Sequence, residues 1–283
     1  MRSDFASDQT NRIEDVCYIF GLTRDAWYKQ LYRKNHKKEK EKQIIKIVQN
    51  RRSVLPFEGL RKLHLSILPE LIQDNLELGR DALWKILKVN DLMVKRRKKY
   101  ARTTNSNHAF YRYNNLTNDM LPKKPNQIWV SDITYIATNQ GFLYLALITD
   151  AYSRKIVGYD ISDSLEMIGA KRALKMALRQ RPKGAETIHH SDHGIQYCSN
   201  AYVGLLEKNK IKVSMGEKGN CYENAMAERV NGILKEEFKL DIKFKIKANA
   251  IKATKQAIYL YNKQRLHMSI GFKTPDHMHR NAA

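Results

Sequence analysis

From Asn126 onward the chain changes texture, and that change limits what it can fold into. QIWVSDITYIA (127–137), GFLYLALITD (141–150) and KIVGYDIS (155–162) are rich in β-branched and aromatic residues, the composition of strands. Only a few residues connect them. A parallel pair needs a crossover of a dozen residues or more, so the three runs are expected to form an antiparallel meander. Beyond them, helix and strand alternate. Ile168, Ala173, Leu174, Ala177 and Leu178 give an apolar stripe to a helix over 165–180. ETIHHSD reads as a fourth strand, AYVGLLEKN as a helix and IKVSM as a fifth strand; helices are expected over 222–239 and 248–263. This order predicts an α/β fold: a mixed five-stranded sheet flanked by helices.

The part before Asn126 has a different character. Residues 12–32 read as helix, turn, helix, with Gly21-Leu22-Thr23 as the turn and Thr23 able to cap the second helix. Leu60, Leu63 and Ile67, then Leu83, Ile86, Leu87 and Asn90, fall at helical spacing. Two helix-turn-helix-like units are expected, although an ordinary helical bundle would show the same spacing. KRRKKYAR (95–102) is a basic run, and residues 103–125 are polar, Asn-rich and end in LPKKP. The expected organisation is an N-terminal helical region over 1–50, a second helix-turn-helix-like DNA-binding region with a basic arm over 51–105, a linker over 106–125 and an α/β core over 126–283.

The formal net charge is +22 over 283 residues, too large an excess to read as a solubility device alone. Residues 1–125 carry 27 Lys and Arg against 14 Asp and Glu, and residues 126–283 carry 24 against 15, so both parts are basic. A polyanion is the expected partner, with nucleic acid the default. An anionic membrane surface is the rival, but the longest apolar run, FLYLALI, is far short of the roughly 20 residues of a spanning helix. MRSDFASDQTNR is polar and has no apolar stretch behind it, so no secretion signal is expected. Cys17, Cys198 and Cys221 form no CxxC pair, which fits a reduced, intracellular protein without a structural zinc site.

Acids on apolar strands are costly unless their charge is used. Asp132 interrupts the first strand and Asp192 ends the fourth. Between Met226 and Phe238, Met226, Val230, Ile233 and Leu234 share one side of a helix, while Glu228, Asn224, Asn231 and Lys235 share the other. Three acids on three elements can converge on oxygen-ligated Mg²⁺, and a pair of such ions suits in-line phosphoryl displacement. A lone strand aspartate is also often solvent-facing, and a glutamate on a polar helix face is usually only solvated. Asp150, Asp160, Glu223 and Glu236 are no worse by composition, so composition does not choose the set.

WVSDITYI, HHSDHGIQY and NCYENAMAERVNGILKEEF resemble the three acidic blocks of a DDE transposase/integrase catalytic core. The 35 residues between Asp192 and Glu228 match the spacing of the DD35E, retroviral-integrase-like class. YNKQRLHMSIGFKTP (261–275) resembles the closing words of insertion-sequence transposases, and FEGLRKL…LWKILKVNDL resembles the family's helix-turn-helix region. Together these resemble the second-frame (OrfB) product of the IS-three family. Leu266 stands where that tail usually has proline, and Glu223 stands where an aspartate usually precedes Asn224.

The resemblance implies an RNase H-like fold, with Asp132, Asp192 and Glu228 as catalytic metal ligands for two Mg²⁺ ions, Mn²⁺ substituting. It implies strand cleavage by water and strand transfer by a 3′-hydroxyl, on double-stranded DNA carrying terminal inverted repeats and on target DNA. A homo-oligomer on DNA, a first-frame (OrfA) product or fusion as partner, no membrane, and a bacterial cytoplasmic, nucleoid-associated location are the accompanying expectations. Lys235 is expected to contact DNA phosphate, as are Lys95, Arg96, Arg97, Lys98 and Lys99 of the arm. His190, His193 and Asn224 are expected to support the site, the histidines not as ligands because hard Mg²⁺ prefers oxygen. With only Cys17 in residues 1–125, the zinc module of retroviral integrases is not expected. Two other readings stay open: a relative that binds DNA without cutting it, and an RNase H-like nuclease.

Overall fold

A computed structural model describes residues 13–94, 113–118, 120–216 and 225–281. Lys95, Arg96, Arg97, Lys98, Lys99, Glu223 and Asn224 lie outside the described residues. The chain divides into two compact units, Met1–Ser53 with Leu63–Met93, and Val54–Lys62 with Val94–Ala283.

In the first unit, residues 13–19 are helical and Gly21 turns the chain at φ +62°. The Ala26 N–H donates to Thr23 Oγ1 at 3.1 Å, the expected cap of the next helix. That helix, α1 (Arg24–Val54), runs for 31 residues. The boundary expected at residue 50 falls inside it. Lys, Glu and Gln fill its middle, all good helix formers, and no Pro appears before Pro56. Helices α2 (Leu60–Gln73) and α3 (Arg80–Val89) follow. Asn75 and Asp91 take positive φ just beyond them, and the Leu76 and Leu92 N–H groups reach back to Leu71 O and Leu87 O, each at 2.8 Å. Ile44, Ile47, Val48, Leu63, Ile67, Leu71, Leu83 and Leu87 are buried. Both expected helical regions thus contribute to one unit.

The second unit is built on β1 (Ile128–Thr138), β2 (Gly141–Asp150), β3 (Ile156–Ser162), β4 (Thr187–Ser191) and β5 (Ile211–Met215), in the order β3-β2-β1-β4-β5. The first three strands form the antiparallel meander, and β4 and β5 add parallel to β1. Helices α4 (Met167–Gln180), α5 (Ile195–Cys198) and α6 (Asn200–Lys208) precede β5, and α7 (Ala225–Glu237), α8 (Lys247–Lys263) and α9 (Pro275–Arg280) follow it. This is the RNase H-like arrangement that the resemblance implies.

Strand alternation sorts the core into two layers. Trp129, Ala146, Ile148 and Val157 face α4 and α6, packing with Ala173, Leu174, Tyr202 and Leu206. Ile136, Leu143, Leu145 and Leu147 face the other way, onto Val230, Ile233 and Leu234 of α7 and Ala257, Ile258 and Tyr261 of α8. Each large apolar side chain so buried contributes roughly 1.5–3 kcal/mol. Gly158 lets α4 lie against β3, because a Cβ there would sit 2.2 Å from Ala173 O.

Candidate active site

The sheet register brings the two aspartates together. β1 and β4 run parallel with Ser131 opposite Ser191. Asp132 is the next residue on β1 and Asp192 the first residue past the end of β4, so this register carries both acids to the same end of neighbouring strands, which lie about 4.8 Å apart. Both are even-numbered, like Val130, which packs with Ile128, Ala151 and Ala227 on the α7 face of the sheet. Glu228 is in the first turn of α7, the helix lying over that face. One turn later, Asn231 Nδ2 donates to Asp132 Oδ2 at 2.8 Å. Asp132 Oδ1 accepts from its neighbour's backbone, Ile133 N–H, at 2.8 Å.

Asp132 feels both of the other acids. Burial pushes the Asp132 carboxyl up to about 7, the negative charge of Asp192 adds to this, the bonds from Asn231 and Ile133 N–H oppose it, and Glu228 raises it further. Like charges held at short range repel, and a divalent cation is what relieves them. An all-oxygen donor set suits a hard ion such as Mg²⁺ rather than zinc. Among the described residues no three Asp, Glu, His or Cys side chains close around one point as ligands would. The donor chemistry, three carboxylates, fits a hard divalent cation.

Asp192 is set by its own turn. Its Oδ1 accepts from Gly194 N–H at 3.0 Å, and a Cβ on Gly194 would lie 2.9 Å from that oxygen. Lys235, two turns beyond Glu228, lies over the Tyr135 ring with Nζ 4.5 Å from its centroid. Burial lowers its pKa, while the charges of Asp132 and Asp241 raise it. His190 and His193 are both buried. His190 Nδ1 lies 2.9 Å from Ser214 Oγ and 3.1 Å from Thr117 Oγ1, tying β4 to β5 and to the segment before β1.

Asp150 and Asp160 have structural work. Asp150 is fully buried and accepts from Asn126 N–H at 2.6 Å and from Ser153 N–H and Oγ–H at 2.8 and 2.6 Å. Asp160 is bound by Arg172 through a two-pronged contact at 2.8 and 2.9 Å. Two neighbours of the cluster carried no role in the sequence reading. Asn231 showed only as an amide on a charged helix face. Tyr197, buried on the opposite face of the sheet against His189 and Tyr202, is within electrostatic reach of Asp132 and Asp192. Its hydroxyl has no hydrogen-bond partner among the described residues. Nothing in the spacing marks it.

The integrase core domain family matches residues 122–221, and a second integrase core domain family matches 209–275. An insertion element IS600 uncharacterized 31 kDa protein of Shigella sonnei is 36% identical over 264 residues, covering 92% of this chain and 96% of its own length. The transposase for insertion sequence element IS629 of Shigella sonnei is 35% identical over 218 residues, 77% of this chain and 72% of that protein. Transposase InsF for insertion sequence IS3A of Escherichia coli (strain K12) is 41% identical over 124 residues, 44% of this chain and 43% of that protein. Among solved structures, the HTLV-2 integrase catalytic core domain in complex with magnesium is 20% identical, covers 55% of this chain and 97% of its own, and superposes with a TM-score of 0.45.

Proposed function

Because the chain belongs to the insertion-sequence transposases built on an integrase core, we propose that Asp132, Asp192 and Glu228 are its catalytic carboxylates and hold two Mg²⁺ ions, with Mn²⁺ able to substitute. The protein is a DNA transposase, a divalent-metal-dependent polynucleotidyl transferase of the DDE type. The observation that supports the residue assignment is that Asp192 and Glu228 both act electrostatically on Asp132, at the junction of β1, the end of β4 and α7.

When bound, divalent ions held by Asp132, Asp192 and Glu228 would supply Lewis acidity for in-line displacement at phosphorus. The protein's own residues position and hold. Asp132 and Asp192 present carboxylates from adjacent strands, and Glu228 adds a third from the helix. The Asn231 amide fixes one Asp132 oxygen, and Gly194 N–H fixes one of Asp192. Lys235, held against Tyr135 beside Asp132, offers its ammonium to a phosphate of the bound strand. No side chain becomes covalently attached: water opens the phosphodiester and leaves a 3′-hydroxyl, which then attacks the target phosphodiester.

The substrate is double-stranded DNA carrying the element's terminal inverted repeats, and then target DNA. The excess of positive charge supports this on both parts of the chain. The helices of the first unit and the basic run 95–102 grip that DNA, His193 and Asn224 shape the pocket, and the enzyme works as an oligomer on paired ends, alone or joined to a first-frame product. Among the described residues no helix is long and apolar enough to cross a membrane.

A labelled terminal-repeat duplex tests the reading. With Mg²⁺ the wild type nicks the element end and joins it to a target. Asp132→Asn, Asp192→Asn and Glu228→Gln each lose both steps by three orders of magnitude or more, while DNA affinity changes little. Full activity in any of the three overturns the assignment. Release of cut product without joining identifies a plain nuclease, and binding without metal-dependent cutting an inactive relative.

A further inference from the structure

The closing words YNKQRLHMSIGFKTP contain none of the clustered carboxylates, yet their side chains are deeply engaged. Arg265 Nε donates to Glu237 Oε2 at 2.8 Å and its Nη2 to Oε1 at 2.6 Å, a two-pronged fork. The Arg265 side chain is 5% exposed and that of Glu237 20%. Lys62, in the same compact unit, places Nζ 3.2 Å from both Glu237 oxygens. Burial pushes the Glu237 carboxyl up, but the Arg265 fork and Lys62 outweigh it and hold it below the usual glutamate range. The segment carrying Arg265 is itself fastened to the sheet. Tyr261 Oη–H donates to Arg154 O at 2.9 Å, and Asn262 brackets Ile156, accepting from its N–H at 2.9 Å and donating to its carbonyl at 3.0 Å.

Glu237 is the last residue of α7. Glu228 lies nine residues earlier on the same helix, about 13.5 Å along its axis. The apolar contacts of Val230, Ile233 and Leu234 hold α7 against the sheet but are non-directional, and near the first turn the Asn231–Asp132 bond adds a directional hold. A planar guanidinium fork is directional too and fixes both slide and rotation. We propose that the Arg265–Glu237 fork is a positioning device for the active site: anchored to the sheet, it sets α7 axially and rotationally and so aims Glu228 and Asn231 at Asp132. This rests on the carboxylate assignment above.

The test uses the full chain and Mn²⁺ as probe, with binding read by electron paramagnetic resonance alongside melting temperature and affinity for the repeat duplex. Arg265→Lys and Glu237→Gln weaken the fork. Asp276→Asn is the control, because its carboxylate pairs with Lys155 just before β3 and with Lys263 and Arg280 in the C-terminal region, none of which lies on α7. All three variants lower the melting temperature. Only the two fork variants weaken Mn²⁺ binding, by on the order of ten-fold or more as for residues that orient metal ligands, with DNA affinity retained. Unchanged Mn²⁺ binding in the fork variants, or an equal loss in Asp276→Asn, overturns the proposal. Where Glu237→Gln does not fold, Arg265→Lys carries the test, since it keeps the charge and removes only the second prong. Glu228→Gln separates the two ideas: unchanged Mn²⁺ binding there sinks the carboxylate assignment, whereas loss there with unchanged binding in the fork variants sinks only the fork.

Discussion

Asn231 is 6% exposed, and its amide oxygen has no hydrogen-bond partner among the described residues, while its NH₂ holds Asp132. A buried amide that satisfies only half of its capacity is costly, so its retention beside the carboxylates needs a use. With Oδ2 held by Asn231 and Oδ1 by Ile133 N–H, each Asp132 oxygen keeps a lone pair that an ion can take. Removing such an orienting bond typically costs ten- to a hundred-fold in metal affinity or activity. Asn231→Ala is therefore expected to slow strand cleavage by about that factor and to raise the Mg²⁺ concentration giving half-maximal rate. Initial rates across a Mg²⁺ series check this, and a wild-type Mg²⁺ response would contradict it. The residue escaped the sequence reading because i+3 spacing from Glu228 is shared by every polar position of that helix face.

At the scale of elements, the sheet was nearly all written in the chain. The second and fifth strands begin and end where GFLYLALITD and IKVSM do. Period-two patterns and short connections are local signals, so they survive without tertiary context. The parallel register that sets Asp132 beside Asp192 is not local; it follows from how β4 docks on β1. Asp150 and Asp160 show the same limit. Both looked as suitable as Asp132 by composition. Only the fold reveals that Asn126 and Ser153 occupy the first and Arg172 the second. The tail was legible as a set of words but not as a clamp, since Arg265 and Glu237 stand 28 residues apart and meet only when α8 folds back. The continuous α1 was missed because a long polar helix carries no apolar period to follow.

For the whole molecule, acid stability follows from buried histidines and one buried carboxyl. Burial first, then His190, lowers His189 to about 3. Burial, then the cations Arg265, Lys62, Arg154 and Arg229, lower His267 to about 2. Unfolded, each binds a proton near pH 6.5, so each stabilises the fold above that pH and loses its contribution as pH falls below it, by about 1.4 kcal/mol per pH unit. Asp132, raised to about 7, has the opposite sign: the folded state binds its proton first, so between about pH 7 and 3.8 it offsets one histidine. In metal-free buffer the melting temperature is expected to fall from pH 6.5 toward pH 4, and more steeply in Asp132→Asn. A flat profile, or a shallower one in the variant, would contradict these signs.

The central claim is that three acids from two strands and a helix share divalent ions. The most direct test is the count and affinity of Mn²⁺ bound by the DNA-loaded full chain, measured by electron paramagnetic resonance for the wild type and for Asp132→Asn, Asp192→Asn and Glu228→Gln. Two ions per chain are expected in the wild type, with loss or marked weakening in every one of the three. Wild-type Mn²⁺ binding in any one of them would contradict it.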